Sequence, residues 1–428
     1  MAEVMVIGSG GREQAIKQAV EASKEVGRVV VSSNVSDGLK EFSGRKEKPL
    51  VIFGPEGPVI EGQADDLRDE GYLVLGASQQ AAQYEASSSR ATKMAQKAGV
   101  IQPDTFIAEG DWMPPAARAY VEGRNPHTYV IRPDGLSDGR GIVMPFSKQE
   151  ARHAVEGMIS GVLFKGAGSE IINFQDRLIG GTEILASAIV GAGKDDFVVL
   201  PIAQVNRRLF GGDESPNTGG LGAYAPVPKQ IINEKQIDII RSIVQRSLEG
   251  MAAEGVTYER AVISMSLLLS DNGMGEPALM AYYTRFGATA PQVMLPLLKS
   301  AGVDAYSLFR SAAEGKIEHT GINLADIGQA AVTVCLAAEG YPVSPRKGDV
   351  IYGLDRTYDG VGIQLADVTT NGHGQIVTTE GGRAVYVTGQ DETINKARAR
   401  AYAAIGEKAI HFAGFQYRKD IGQLPGRY

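Results

Sequence analysis

A single cysteine, Cys335, excludes any disulfide within the chain and so the disulfide frameworks of small secreted folds. It lies in the apolar run AAVTVCLAA, where a small buried core side chain is expected. No stretch of about 18 apolar residues could cross a bilayer as a helix. The opening MAEVMVIGSGG has no basic segment leading into a long apolar one, so no secretory signal is expected. Lys and Arg total 43 against 50 Asp and Glu, a net charge of −7, and no basic domain stands out, which argues against a nucleic-acid partner. The five histidines, His127, His153, His319, His373 and His411, are scattered without metal-ligand spacing. There is no low-complexity segment and no internal repeat. A cytoplasmic protein with neither nucleic acid nor membrane as partner is expected.

What is abundant is glycine, 53 of 428 residues, clustered in short loops as in nucleotide-binding α/β folds. EVMVIG, RVVVSS, PLVIFGPE and YLVLGAS are short apolar runs that suit strands buried on both faces. The helix patterns GREQAIKQAVEAS and SRATKMAQKAGV accompany them, giving a doubly wound α/β unit over residues 1–102. WMPPAARAYVEGRNPHT, with its Pro-Pro, reads as a bridge between units. YVIRPDGLSDGRGIVMPF has the grammar of a hairpin, followed by the helix KQEARHAVEGMIS. TEILASAIVGAGKDDFVVLPIAQVNRR suggests two or three antiparallel strands. The next helix carries Ile237, Ile240, Val244, Leu248 and Met251 on one face. A last unit, residues 326–428, has three strands and a helix that places Ile394, Arg398, Ala401 and Ile405 along one side. The expected division is 1–102, 103–190, 191–325 and 326–428.

Three loops have the composition of binding sites. The turn Gly8-Ser9-Gly10-Gly11-Arg12-Glu13 joins a strand to a helix, and its glycines could let backbone N–H groups approach a phosphate; a plain tight turn needs the same glycines. Asp134-Gly135-Leu136-Ser137-Asp138-Gly139-Arg140-Gly141 could fold over a triphosphate that Arg132 and Arg140 would neutralise; the lesser alternative is a glycine-rich hairpin with surface arginines. The loop from Asp213 to Pro228, DESPNTGGLGAYAPVP, is conformationally costly and so functional in character, with the charges of Asn206-Arg207-Arg208 just before it.

Taken in order, these strings resemble the phosphoribosylamine–glycine ligase (glycinamide ribonucleotide synthetase) family of the ATP-grasp superfamily. The likeness runs through VIGSGGRE, GPEGPVIEG (54–62), LGASQQAAQYEAS, DGLSDGRG, PNTGGLGAY (216–224), RFG (285–287), EGYP (339–342), GGR (381–383) and RKDIG (418–422). It implies an α/β and α+β multidomain chain: an N-terminal Rossmann-like unit, an ATP-grasp fold in two subdomains with ATP between two sheets, and a C-terminal mixed α/β domain. It implies ATP-dependent joining of glycine to phosphoribosylamine through a glycyl phosphate. The sugar phosphate would lie near Gly10, Gly11, Arg12, Glu13, Gly54, Pro55 and Glu56. Asp213, Asn217, Thr218, Gly219 and Gly220 would shape the acceptor and glycine site, and Arg285 would meet an anionic oxygen there; Asp213 and Arg285 are the expected catalytic pair. ATP would be held by Arg132, Asp134, Gly135, Gly139, Arg140, Gly141, Glu183 and Arg208, with Glu183 on the ribose.

The departures from the family pattern concentrate on the nucleotide side. Its lysines are Arg132 and Arg140 here, a change from a compact ammonium to a planar fork. An upstream lysine is Ser88 or Arg90, and the histidine of GREHA is Gln14. Where the family has EFN-RFGDPE, Ala281 replaces the metal-binding Glu and Tyr283 the metal-binding Asn, and no Asp or Glu occurs between Glu276 and Asp304. Magnesium prefers hard oxygen ligands, so the resemblance implies ATP but puts magnesium in doubt. Asp213, Glu183 or Asp138 could supply a relocated carboxylate. Two readings stand: a divergent ligase, or a non-catalytic descendant that binds ligands or protein partners. A third, ATP-independent chemistry in the acceptor pocket, names no reaction.

Overall fold

Strands buried on both faces alternate with helices through the first hundred residues of the computed structural model, which describes residues 1–135, 142–162, 170–178, 180–211, 217–270, 275–317 and 327–423. The order is β1 (Ala2–Ile7), α1 (Gly11–Glu21), β2 (Val26–Ser32), α2 (Val35–Lys40), β3 (Leu50–Phe53), α3 (Glu56–Ile60), α4 (Gln63–Asp69), β4 (Val74–Leu75), α5 (Gln79–Ala86) and α6 (Ser88–Lys97). The four strands form one parallel sheet in the order β2-β1-β3-β4. Its loops at the strand C-termini open toward the rest of the molecule, as in other doubly wound sheets.

Next come β5 (Thr105–Glu109), α7 (Met113–Gly123), β6 (Tyr129–Pro133), α8 (Lys148–Ile159) and β7 (Ile171–Asp176). The segment expected to bridge units is instead a helix, α7, because its two prolines fall in the first turn, where no backbone N–H is needed. The sheet β5-β7-β6 is apolar on one face only. Tyr129, Ile131, Ile172 and Phe174 pack on Ala117, Val121, Val155 and Met158 of α7 and α8. The alternate positions, Arg132, Asn173 and Gln175, face the other way. Paired hydrogen bonds of 2.8 Å between Ile131 and Val143 close the expected hairpin around the glycine loop.

The larger subdomain holds β8 (Thr182–Gly193), β9 (Asp196–Val199), β10 (Gln204–Arg208), β11 (Asn217–Ala225), α9 (Glu234–Ala253), β12 (Ala261–Leu269), β13 (Ala278–Tyr283), α10 (Pro291–Ser300) and α11 (Ala305–Ala313). The antiparallel sheet β13-β12-β8-β9 buries Ile184, Ala186, Ile263, Met265 and Leu267 on one face, against Ile240, Val244, Leu248 and Met251 of α9. Its other face carries Glu183, Leu185, Ser187, Ser264, Ser266, Ala281 and Tyr283, a row that the register brings together across three strands.

The chain closes with β14 (Ala330–Ala337), β15 (Val361–Leu365), β16 (Val368–Thr370), β17 (Ile376–Thr378), β18 (Arg383–Asp391) and α12 (Ile394–Ala403). Its five-stranded sheet, β10-β11-β14-β18-β15, takes two strands from residues 204–225, far upstream of position 326. Cys335 is buried there as expected, and burial pushes its thiol up to about 12. On α12 the buried residues are Ile394, Ala397 and Ala401. Arg398 leans out to the carbonyls of Lys419 and Ile421, and the helix ends before Ile405. Gly389 on β18 lies directly beneath α12, where a Cβ would run into the Ala397 carbonyl and the Ala401 amide. Gly389→Ala should therefore lower stability by about 1–3 kcal/mol, read as a fall in thermal midpoint, whereas an unchanged midpoint would mean that helix and sheet are not so closely apposed.

Candidate active site

Three groups of side chains converge where the N-terminal unit, the larger sheet and the C-terminal sheet meet. The first is organised by Arg285, just past β13. Its Nε lies 2.6 Å from Glu56, at the start of α3 after Pro55, and one terminal nitrogen lies 2.8 Å from Glu85 on α5. Glu85 also accepts from the Thr284 amide (2.7 Å) and hydroxyl (3.0 Å). Burial pushes the Glu85 carboxyl above its usual range despite Arg285. At Glu56 burial also pushes upward, but the Arg285 charge, the backbone hydrogen bond and Arg12 together outweigh it, and this carboxyl lies below its usual range. Arg12 and Arg285 each donate to the Phe286 carbonyl at 3.3 Å.

Glu13 is buried, accepting from the Gly10 amide (2.8 Å) and from Arg12 Nε (2.6 Å). Gly54 makes room for it: a Cβ there would overlap the Glu13 carboxylate. This acid thus holds the turn together, which the expectation of a sugar-phosphate contact did not anticipate. Gly11 faces the C-terminal sheet, and a Cβ on it would lie 2.5 Å from the Tyr386 ring and 3.0 Å from the Gln292 amide nitrogen. The Gln292 amide is buried, and neither of its ends has a hydrogen-bond partner among the described residues.

The second group is the start of β11. Thr218 donates to the Arg207 carbonyl (2.6 Å) and accepts from the Gly220 amide (3.1 Å). Arg383 of β18 donates to the Gly219 carbonyl at 3.0 Å, so close that a Cβ on Gly219 would touch the guanidinium. Thr289 lies against Gly220, its hydroxyl 3.4 Å from that carbonyl. Asn217 opens the strand, and Asp213 lies outside the described residues.

The third group lines the cleft between the three-stranded and four-stranded sheets. Arg207 donates to the Tyr283 hydroxyl (3.0 Å), and its Nε is 3.3 Å from Glu183, which Ser266 holds at 2.6 Å. The Arg207 and Arg285 guanidiniums each lie 5.6 Å from the centre of the Tyr283 ring. Arg132 enters from β6. Burial presses its pKa below the usual guanidinium range, and its electrostatic partners are Tyr283 and then Asp134.

Asp134, expected on ATP, is engaged elsewhere. It accepts from Ser87 Oγ (2.7 Å), Ser88 Oγ (3.0 Å) and the Ser89 amide (2.7 Å), capping α6. Arg285, expected on a substrate oxygen, instead meets two protein carboxylates. Gly135 is exposed at the mouth of the loop; Gly139, Arg140, Gly141 and Asp138 lie outside the described residues. The Arg208 carbonyl accepts from Arg418 at 3.3 Å. Glu85, Thr289 and Gln292 were not singled out from sequence; the visible signal for Gln292 was one amide in the apolar stretch PQVMLPLL.

A divalent cation fits these residues poorly. Among the described residues no three His, Cys, Asp or Glu side chains come together as ligands. Ala281 offers no donor, and Glu183 already faces Arg207.

The chain matches three family models in succession: the phosphoribosylglycinamide synthetase N domain over residues 2–85, its ATP-grasp (A) domain over 87–290 and its C domain over 331–424. It is 33% identical to a phosphoribosylamine–glycine ligase of Mesorhizobium japonicum, covering 98% of this chain and 97% of that one. It is also 33% identical to the trifunctional purine biosynthetic protein adenosine-3 of Gallus gallus, of which it spans 42%. The crystal structure of a phosphoribosylamine–glycine ligase from Thermotoga maritima is similar at a TM-score of 0.80 and 29% identity, covering 98% of this chain and 100% of that one. A biotin carboxylase domain from Hydrogenobacter thermophilus, TM-score 0.70 at 13% identity over 97% and 91% of the two chains, shares the fold.

Proposed function

The chain belongs to the phosphoribosylglycinamide synthetase family, and from that premise we propose that it is an ATP-grasp ligase joining glycine to 5-phosphoribosylamine in purine biosynthesis. ATP would transfer its γ-phosphoryl group to the glycine carboxylate, releasing ADP. The phosphoribosylamine nitrogen would then attack the glycyl carbonyl, forming the amide bond as phosphate leaves. The observation that carries this reading is the convergence of the α1 N-terminus, Thr218-Gly219-Gly220 and Arg383 on one junction, all within a chain matched over 98% of its length by a ligase.

In this reading Gln292, with both amide ends unpaired beside Gly11, orients the acceptor. The backbone at Gly10, Gly11 and Arg12 holds the sugar phosphate at a helix N-terminus. Arg285 is a positioning residue, fixing Phe286 and thereby Arg12. Asn217, Thr218, Gly219 and Gly220 shape the amino-acid site, to which Asp213 would contribute its carboxylate. Glu183 takes the ribose, and Arg132, Arg208 and the loop from Gly135 through Gly139, Arg140 and Gly141 take the phosphates. The division at 102, 190 and 325 is part of the proposal, with β10 and β11 completing the last unit's sheet. The place of action we propose is the cytoplasm; no helix among the described residues is long and apolar enough to cross a membrane.

The test supplies ATP, glycine and phosphoribosylamine formed in place from ribose 5-phosphate and ammonia. ADP should appear only when all three are present, with a product of the mass of glycine plus phosphoribosylamine less water. ADP release indifferent to glycine and amine would overturn the proposal, as would none at all. Nothing in the comparisons favours the non-catalytic alternative.

A further inference from the structure

A second cavity, of about 570 Å³, opens between α1, the C-terminal half of α10 and strands β15 and β18 of the C-terminal sheet. That volume lies within the roughly 300–1,000 Å³ of small-molecule sites. The helices give it apolar walls: Ala15 and Ala19 of α1, Ala22 at the end of that helix, and Leu295 and Pro296 of α10. The sheet gives it amides and a hydroxyl, from Gln364, Thr388 and Gln390, which Gln18 of α1 joins. Gln364 and Thr388 are buried, and Gly362 on the same strand leaves the Gln364 amide uncovered, since a Cβ there would lie 3.3 Å from its nitrogen.

Hydrogen bonds within this group fix which way the amides face. Thr388 donates to Gln364 Oε1 (3.0 Å), Gln364 donates to Gln18 Oε1 (2.7 Å), and Gln18 donates to the Ile363 carbonyl (2.7 Å). Each of these two glutamines keeps one N–H without an acceptor among the described residues. Gln390 donates to the Pro296 carbonyl at 3.1 Å, and its Oε1 accepts from none of the described residues. A ligand in the cavity therefore meets spare donors and a spare acceptor between apolar walls. A glutamine amide, with N–H and C=O side by side, complements the N6 and N7 edge of adenine. The helices that wall the cavity also lead to the acceptor site. Gly11 is the first residue of α1 and Gln292 the second of α10, and a Cβ on Gly11 would lie 3.0 Å from the Gln292 amide nitrogen. Pro296 has no N–H to give the Gln292 carbonyl, so α10 is weakened between cavity and acceptor site.

We propose that this cavity is an effector site for an adenine nucleoside, which alters the acceptor site by shifting α1 against α10. The effect on turnover rests on the ligase reading; the binding site itself does not. Calorimetric titration of the full-length protein with adenosine should give a Kd of about 1 mM or tighter. At saturating ATP, adenosine should change the KM for phosphoribosylamine by about fivefold or more. Ala22→Trp fills the mouth from an exposed position, and Gln18→Leu, also exposed, removes one of the amides. Each should weaken adenosine binding by about tenfold or more and abolish its effect on KM, while thermal midpoint and turnover without adenosine stay unchanged. Adenosine binding that both variants leave intact belongs to the nucleotide cleft and overturns the inference. So does the absence of binding, and so does an acceptor KM that adenosine does not move. If the ligase assay releases no ADP, the ligase reading fails, and the adenosine affinities of the two variants still decide whether the cavity is a site.

Discussion

Arg285→Met is expected to reduce ligase turnover by about 100-fold or more and to lower folding stability at neutral pH by about 3–5 kcal/mol. The stability loss comes from what remains behind. Glu56 and Glu85 would face each other without the guanidinium that lies between them at 2.6 and 2.8 Å. The activity loss comes from displacement of Phe286, whose carbonyl receives both Arg285 and Arg12. The pH dependence separates this account from a general packing defect. Glu56 lies below its usual range in the folded chain: burial alone would raise it, but Arg285 leads the effects that lower it. That stability is present above the ordinary carboxylate range and is lost as pH falls through the folded value. Glu85 lies above its usual range because of burial, so its contribution is fully present at low pH and is lost as pH rises. Removing Arg285 shifts both carboxyls upward. The variant's deficit should therefore be greatest near pH 8 and shrink by about 1 kcal/mol or more on acidification to pH 5, measured by urea unfolding. A deficit independent of pH would mean that Arg285 does not balance these acids.

Asp134→Ala is expected to cost about 2–4 kcal/mol and to raise the KM for ATP about tenfold, while leaving the KM for glycine nearly unchanged. Its carboxylate accepts from two serine hydroxyls and the Ser89 amide, joining the base of the glycine hairpin to the first turn of α6. Without it the Ser89 amide loses its acceptor, Ser87 is left as the only side-chain cap of that turn, and the hairpin loses its anchor. Asp134→Asn keeps one acceptor and should fall between. Were Asp134 instead a direct ATP contact, nucleotide affinity would drop with no change in thermal midpoint.

These two residues also mark where sequence reading stops. The buried strands of the N-terminal unit were legible because four-residue runs such as LVIF have no polar face. The helices were legible through their periodic faces, α9 most plainly. Asp134 was legible as a site candidate, but its serine partners were not, since they lie 45 to 47 residues upstream and only tertiary folding brings them near. Arg285 was placed at the site, but Glu85, 200 residues earlier in the string LGASQQAAQYEAS, carried no sign of pairing with it. The loss of β13's oxygen donors could be read directly, as Ala281 and Tyr283. That Arg207 of β10 reaches Tyr283 of another sheet could not, because side-chain alternation gives the face of each strand but not which sheet lies opposite. The proline pair of α7 misled for a local reason: at the first turn of a helix proline is a start signal, and elsewhere a break.

The sheet that β10 and β11 share with β14 has a consequence for synthesis. Ala225 leaves the ribosome roughly a hundred residues ahead of Ala330, so at about 5–20 residues per second the nascent chain waits about 5–20 s for that partner. Through that interval the β10–β11 hairpin presents a bare strand edge, able to pair with any passing chain. A ribosome stalled past β13 but before Ala330 would hold the four-stranded sheet complete and the C-terminal sheet still missing, since Arg383 and Tyr386 arrive later still. Slow translation across residues 226–330 should therefore do more harm to yield than an equal delay earlier in the message.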